Sequence, residues 1–208
     1  ADSVGESAVV FDDEAPAPGF ISGKSSVRGS DIGSATHVFM QFCDFTNVEK
    51  YGVEYELERL LKKRYITETF AALTNRKAAE KFFRSEIYRE MRAAETLERE
   101  YRFNVKLPAS MFTKDAEKKK QLENESVFVQ GVVDCYFRNR TGNITIVDYK
   151  TDFIPLEVKG NAEKENEFFV NRHKAQLTYY KTALEMITGQ KVSRTVIYSF
   201  SAARSIEI

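Results

Sequence analysis

Val127-Phe128-Val129-Gln130-Gly131-Val132-Val133-Asp134-Cys135-Tyr136-Phe137 and Ile144-Thr145-Ile146-Val147-Asp148-Tyr149-Lys150 are runs of β-branched and aromatic residues separated by Arg138-Asn139-Arg140-Thr141-Gly142-Asn143. The intervening stretch has turn chemistry and the flanking runs favour the pleated strand, so the segment predicts a β-hairpin. With the turn centred on Thr141, Asp134 faces Asp148, because their numbers sum to twice 141. Side chains alternate along a strand, which puts Asp134, Tyr136, Ile146, Asp148 and Lys150 on one face. Two carboxylates and an ammonium then converge. Opposed carboxylates repel, and the apolar neighbours Val132, Val133, Ile146 and Val147 imply burial, where an uncompensated charge is costly. A hard divalent cation resolves both problems, and Mg²⁺ keeps waters that can become a nucleophile. Lys150 is placed to orient or deprotonate such a water, or to neutralise charge building on a phosphate. The rival reading makes the two aspartates edge-strand charges that deter aggregation, with Lys150 a surface partner. Their apolar surroundings speak against it.

Downstream of the hairpin, helical spacing over Glu167 to Thr188 puts Leu177, Tyr180, Leu184 and Ile187 on one stripe, and Gly189 is placed to end the helix. Thr195 to Phe200 predicts a last strand. Upstream, Leu107 to Ser126 reads as a charged loop containing Lys118, Lys119 and Lys120. Before it lies a strand with Leu97, Tyr101, Phe103 and Val105 on one face and Glu98, Glu100, Arg102 and Asn104 on the other. From Asp31 to Ala94 apolar residues recur at helical spacing, as in Leu57, Leu60 and Leu61, then Ala79, Phe82, Phe83, Ile87 and Met91. Ser30 is a candidate cap for a first helix carrying His37, and Asn75 for a later one. Helices, then strands, then helix and strand describe an α/β domain: a mixed sheet covered by helices, with a helical amino-terminal half. Residues 1–28, centred on Ala15-Pro16-Ala17-Pro18-Gly19, are expected to be a linker or extended arm, leaving 29–208 as the domain. Within the arm, Gly19-Phe20-Ile21-Ser22-Gly23-Lys24-Ser25 is one residue short of a phosphate-binding loop and follows no predicted strand, so no ATP site is expected.

The 208 residues suit one domain with a real core: 42% are hydrophobic, with 16 Phe and 10 Tyr. Lys plus Arg equals Asp plus Glu at 31 each, so net charge gives no hint of a nucleic-acid partner, although an acidic centre inside a basic rim cancels in such a sum. Cys43 and Cys135 lack any zinc or iron-sulfur spacing and read as reduced, buried thiols, which favours a cytosolic setting. No apolar run is long enough to span a membrane, and the acidic, proline-containing start is unlike a signal peptide. A chain opening on Ala1 reads as a piece of a longer polypeptide.

Gly131-Val132-Val133-Asp134, Asp148-Tyr149-Lys150-Thr151-Asp152 and Gln176-Leu177-Thr178-Tyr179-Tyr180 resemble the ordered G-x-x-D, D-Y-K-T-D and Q-x-x-x-Y motifs of RecB-type PD-(D/E)XK nucleases. Gly33-Ser34-Ala35-Thr36-His37 resembles that family's G-x-x-x-H helix, and Arg99-Glu100-Tyr101-Arg102-Phe103 its R-E-x-x-F strand. Within the family the chain most resembles the carboxyl-terminal nuclease domain of the AddA component of AddAB helicase-nucleases. The four cysteines that hold an iron-sulfur cluster in other branches are missing.

The resemblance implies a restriction-endonuclease-like fold. It implies metal binding by His37, Asp134, Asp148 and the Tyr149 carbonyl, with Lys150 as catalytic lysine, Gln176 and Tyr180 flanking the centre, and Glu100 as the strand acid. It further implies a Mg²⁺-dependent deoxyribonuclease in which Mn²⁺ substitutes, working in the bacterial cytoplasm at the nucleoid. Such a domain trims single strands of unwound DNA during double-strand break repair and recombination, tethered to a helicase portion and beside an AddB-like second component. Two alternatives stand: a non-catalytic DNA- or protein-binding domain keeping the fold, and a free-standing nuclease. His37 on base rate is a satisfied core or surface histidine, Tyr180 also lies on the core stripe, and His173 between Arg172 and Lys174 reads as a solvated helix face. Arg172, Lys174 and Lys181 are candidates to meet a DNA backbone.

Overall fold

The computed structural model describes residues 9–10 and 29–208. The expectations for the linker or arm, and the false phosphate loop, therefore lie outside the described residues, except at Val9–Val10, where a two-residue strand β1 stands.

Five helices precede the main strands: α1 (Gly29–Phe42), α2 (Phe45–Lys62), α3 (Glu68–Leu73), α4 (Arg76–Phe83) and α5 (Glu86–Ala93). Asn75 caps α4 as expected, and Asp44, Thr67 and Ser85, which the sequence reading did not single out, likewise accept from backbone N–H groups of the following turn. Ser30 is not a cap but lies inside α1, which begins at Gly29. Then come β2 (Thr96–Pro108), α6 (Ala116–Gln121), β3 (Ser126–Arg138), β4 (Ile144–Lys150), α7 (Ala162–Thr188), β5 (Val192–Ser199) and β6 (Arg204–Glu207). The segment read as a loop thus holds α6, capped by Asp115 and wholly unburied. Gly189 ends α7 in the left-handed conformation, φ 66°, donating to the Glu185 carbonyl.

The sheet is mixed. β2 pairs antiparallel along β3, β3 antiparallel with β4, β4 parallel with β5 across the α7 crossover, and β5 antiparallel with β6. Because β2 takes one edge of β3, β1 and β4 share the other: β4 at Cys135 to Arg138, and β1, parallel, at Val129 and Gln130. All seven residues of β4 are buried, as a strand covered on both faces requires.

Each sheet face carries its own core. The helical half packs on one, where Phe82 meets Tyr149, Tyr198 and Phe200 at ring separations of 5.6, 4.9 and 5.9 Å. Helix α7 packs on the other through Phe169, Leu177, Tyr180 and Leu184. Ile187, expected on that stripe, is 41% exposed. The buried stripe of α7 ends at Leu184.

Candidate metal centre and active site

The hairpin has the expected register, with Cys135 opposite Val147 and Arg138 opposite Ile144. The next rank in that register is Asp134 and Asp148, and there β3 and β4 part. On the other edge of β3, Asp134 falls opposite Glu100, between the paired ranks Arg99–Cys135 and Tyr101–Val133. Glu100 takes a left-handed φ of 53° and drops out of the ladder. Three acids on neighbouring strands thus share one rank, and pairing fails on both sides of the middle one.

The break also turns the strands over. Leu97, Cys135 and Phe137 pack with the helical half, whereas Tyr101, Phe103, Val105 and Val133 pack with α7. The expectation that Leu97 shares a face with Tyr101 is corrected here, because one left-handed residue between them shifts the alternation.

The Asp134 carboxylate sits in the fork. Its Oδ2 accepts from the Tyr149 N–H at 2.7 Å, and its Oδ1 lies 3.2 Å from His37 Nδ1. In a strand, one residue's N–H and C=O share an edge, so the Tyr149 carbonyl opens into the fork too. The Lys150 carbonyl points the other way, accepting from Phe200 N–H at 2.8 Å on the β5 side. Asp148 is 2% exposed; its Oδ2 is 3.2 Å from Lys150 Nζ but accepts no hydrogen bond among the described residues. Lys150 Nζ donates to Gln176 Oε1 at 3.1 Å, and Gln176 Nε2 donates to the Tyr180 hydroxyl at 3.0 Å.

These environments separate the acids. Burial raises the Asp148 carboxyl to about 6, with Lys150 opposing the rise and Asp134 adding to it. Burial acts on Asp134 as well, but the His37 charge and hydrogen bond, Lys150 and the Tyr149 N–H outweigh it and hold this carboxyl below its ordinary value. Burial pulls the His37 imidazole down, yet Asp134 carries it up to about 9. Glu100 is raised by burial first, then by Asp134.

His37, Glu100 and Asp134 offer ligand atoms within 4.8 Å of one another; Asp148 is not one of that group, and its buried Oδ2 has Lys150 Nζ at 3.2 Å and no hydrogen bond among the described residues. Carboxylate and imidazole donors around clustered negative charge fit a hard divalent cation. The centre opens into a cleft of 610 Å³ that also reaches Arg102, Asn104 and Gln130.

A model of the PD-(D/E)XK nuclease superfamily matches residues 18–206. The chain belongs to that superfamily. Curated relatives match along most of it, each named as the A component of an ATP-dependent helicase/nuclease. That of Oceanobacillus iheyensis is 35% identical over 92% of this chain and 15% of its own. That of Acetivibrio thermocellus is 33% identical over 95% and 15%, and one from Clostridium botulinum 31% over 92% and 14%. The chain therefore spans about 15% of the length of these relatives, and the resemblance to the AddA component is borne out.

The remaining motif residues of this PD-(D/E)XK domain have mechanical roles. A Cβ on Gly131 would meet Phe103 Cζ at 2.5 Å, so any side chain there must displace the ring that lies over β3. A Cβ on Gly33 would stand 3.1 Å from Thr151 Oγ1, so glycine lets α1 approach the end of β4 and brings His37, one turn on, to the centre. Arg99, a motif residue whose role the sequence leaves open, donates to the Met40 and Cys43 carbonyls at 2.9 and 2.7 Å and so holds the carboxyl end of α1. His173 is a correction. It is 4% exposed, not solvated, with its Nε2 3.3 Å from Asp152 Oδ2, while Arg172 Nε lies 2.8 Å from Asp152 Oδ1. A sequence signal existed: His173, Gln176 and Tyr180 are three and four apart and share a helix face.

Proposed function

We propose that this domain hydrolyses DNA phosphodiester bonds in Mg²⁺, with Mn²⁺ able to substitute, at a centre held by His37, Asp134, Asp148 and the Tyr149 carbonyl. The observation that carries the reading is the fork itself: two buried acids in one rank where hydrogen bonding stops, with a lysine two residues beyond the second. A bound divalent ion supplies Lewis acidity and a nucleophilic water at neutral pH. The protein does the rest. Asp134 and Asp148 would hold the ion from neighbouring strands, and His37, which Asp134 raises to about 9, would release its proton to solvent to serve as a ligand. Glu100, grouped with His37 and Asp134, would offer a third carboxylate. Lys150, fixed between Asp148 and Gln176, orients the water's proton or neutralises charge growing on the phosphate. Gln176 sets the ammonium's position and Tyr180 sets Gln176.

The relatives' name supports placing the domain in an ATP-dependent helicase/nuclease, and we propose that this bacterial machine processes DNA breaks for repair and recombination. There it would act on single strands from unwound duplex, in the cytoplasm, joined to a helicase portion and an AddB-like partner. No described helix is long and apolar enough to cross a membrane. The test is cleavage of single- and double-stranded DNA with and without Mg²⁺. Wild type should cut only with metal, and Asp148→Ala and Lys150→Ala should lose about 100-fold or more in rate, the loss expected on removing a key electrostatic group. An Asp148→Ala protein cutting at wild-type rate would refute the assignment, and wild type binding metal without cutting would favour the non-catalytic alternative.

A further inference from the structure

Past the rank of Glu100 and Asp134, β2 and β3 continue as an arm whose β3 edge is joined by β1 at Val129 and Gln130. One face packs towards α7 through Phe103, Leu107 and Val129. The other is open among the described residues, and register pairs its side chains as Arg102–Val132, Asn104–Gln130 and Lys106–Phe128. Cross-strand partners share a face, and ranks two residues apart lie about 6.8 Å apart, close to one nucleotide of an extended strand.

The order of chemistry along this ladder is what matters. The β2 side presents cation, amide, cation, and neither Arg102 nor Lys106 forms an ion pair or hydrogen bond among the described residues. The β3 side presents an aliphatic group, an amide and the ring of Phe128, 38% exposed. An exposed Phe alone would mean little. Here it stands opposite Lys106, unpaired among the described residues, and the nearer two ranks line the same 610 Å³ cleft as the acids. Cations on one rail and an aromatic on the other are the parts of a single-strand platform, where phosphates meet charge and bases stack. A cleft of that volume is of small-molecule size, and a duplex keeps its base faces inside its own stack.

We propose that this ladder is a subsite for single-stranded DNA continuous with the cleavage centre: Arg102 and Lys106 hold successive phosphates and Phe128 stacks on a base. The proposal rests on the nuclease reading and adds which residues lead the strand in.

The test uses the whole chain and an oligothymidylate, with Ca²⁺ replacing Mg²⁺ for binding by anisotropy and Mg²⁺ for kinetics. Phe128→Ala should weaken binding about tenfold, as loss of one stacked base does, with the loss falling on KM. Phe128→Trp should restore affinity and Phe128→Leu should not. Because the chain has no Trp, the Phe128→Trp protein gives a lone indole signal that the oligonucleotide should quench. Arg102→Ala and Lys106→Ala should each reduce the slope of log affinity against log salt by about 0.7. If wild type cuts the strand but these variants bind it with unchanged affinity and slope, or Phe128→Leu binds like wild type, the ladder is overturned while the nuclease reading stands. A wild type that neither binds nor cuts the oligonucleotide overturns both.

Discussion

Asp148 is a buried acid with a carboxyl raised to about 6 and one oxygen lacking a hydrogen bond. An acid whose folded value lies above its unfolded value of about 3.9 favours the native state while protonated, and that contribution is lost as pH rises through the folded value. Metal-free protein should therefore lose on the order of 2–3 kcal/mol between about pH 4 and pH 7 through this residue. Asp148→Asn removes the loss. In EDTA, the Tm of Asp148→Asn relative to wild type should rise from pH 4.5 to pH 7.5, and a flat or falling difference would contradict the environment assigned to Asp148. Gly131 provides a second test at this scale. Alanine there must displace the Phe103 ring from 2.5 Å, so Gly131→Ala should cost about 1–3 kcal/mol in denaturant unfolding; an unchanged midpoint would mean the ring yields freely. The residue pattern makes the Asp134–Asp148 rank legible, because a hairpin with apolar arms has little choice of register. It does not reveal the left-handed Glu100, since backbone handedness at a non-glycine residue leaves no trace in a polar–apolar pattern.

Two elements bring their residues to the acids by different means. α1 is tied down at its carboxyl end by Arg99, whose hydrogen bonds to the Met40 and Cys43 carbonyls join the helix to β2 just before Glu100. Arg99→Ala should destabilise the fold by about 1.5–3 kcal/mol. It should also weaken Mn²⁺ binding by calorimetry, because His37 rides on this helix; full metal affinity in a folded Arg99→Ala protein would show that α1 is positioned otherwise. α7 is fastened beside the centre by Asp152 with Arg172 and His173, and one turn later Gln176 meets Lys150. Gln176→Ala should leave KM near wild type and lower kcat about tenfold, the lower end of what loss of a residue that positions a functional group costs; an effect on KM alone would assign Gln176 to substrate binding. The amphipathic length of α7 and its glycine stop are readable from period and cap. Sequence misplaces His173 because its partner, Asp152, is 21 positions away, and local charge neighbours carry no sign of it. α6, with the sequence Ala116-Glu117-Lys118-Lys119-Lys120-Gln121, has no apolar face to betray a helix.

At the scale of the whole molecule, the fork exists because β3 serves two neighbours on one edge, β4 near its carboxyl end and β1 near the other. Between them the sheet opens, and the α7 side and the helical side both reach the gap, one bringing Gln176 and Tyr180, the other His37. The mixed sheet with a helical first half follows from the order of periodicities along the chain. The short strands β1 and β6 do not, being too brief for any period to register. An ion bound at the fork would couple both halves, so saturating Mn²⁺ should raise the Tm of wild type and not of Asp134→Asn, by mass action on the native state. Most decisive is an anomalous difference map from crystals soaked in Mn²⁺. A peak should stand between Asp134 and Asp148, within bonding distance of both carboxylates and of the Tyr149 carbonyl. A fork without a peak, while Mn²⁺ settles on acids elsewhere, would mean that the two aspartates do not share an ion.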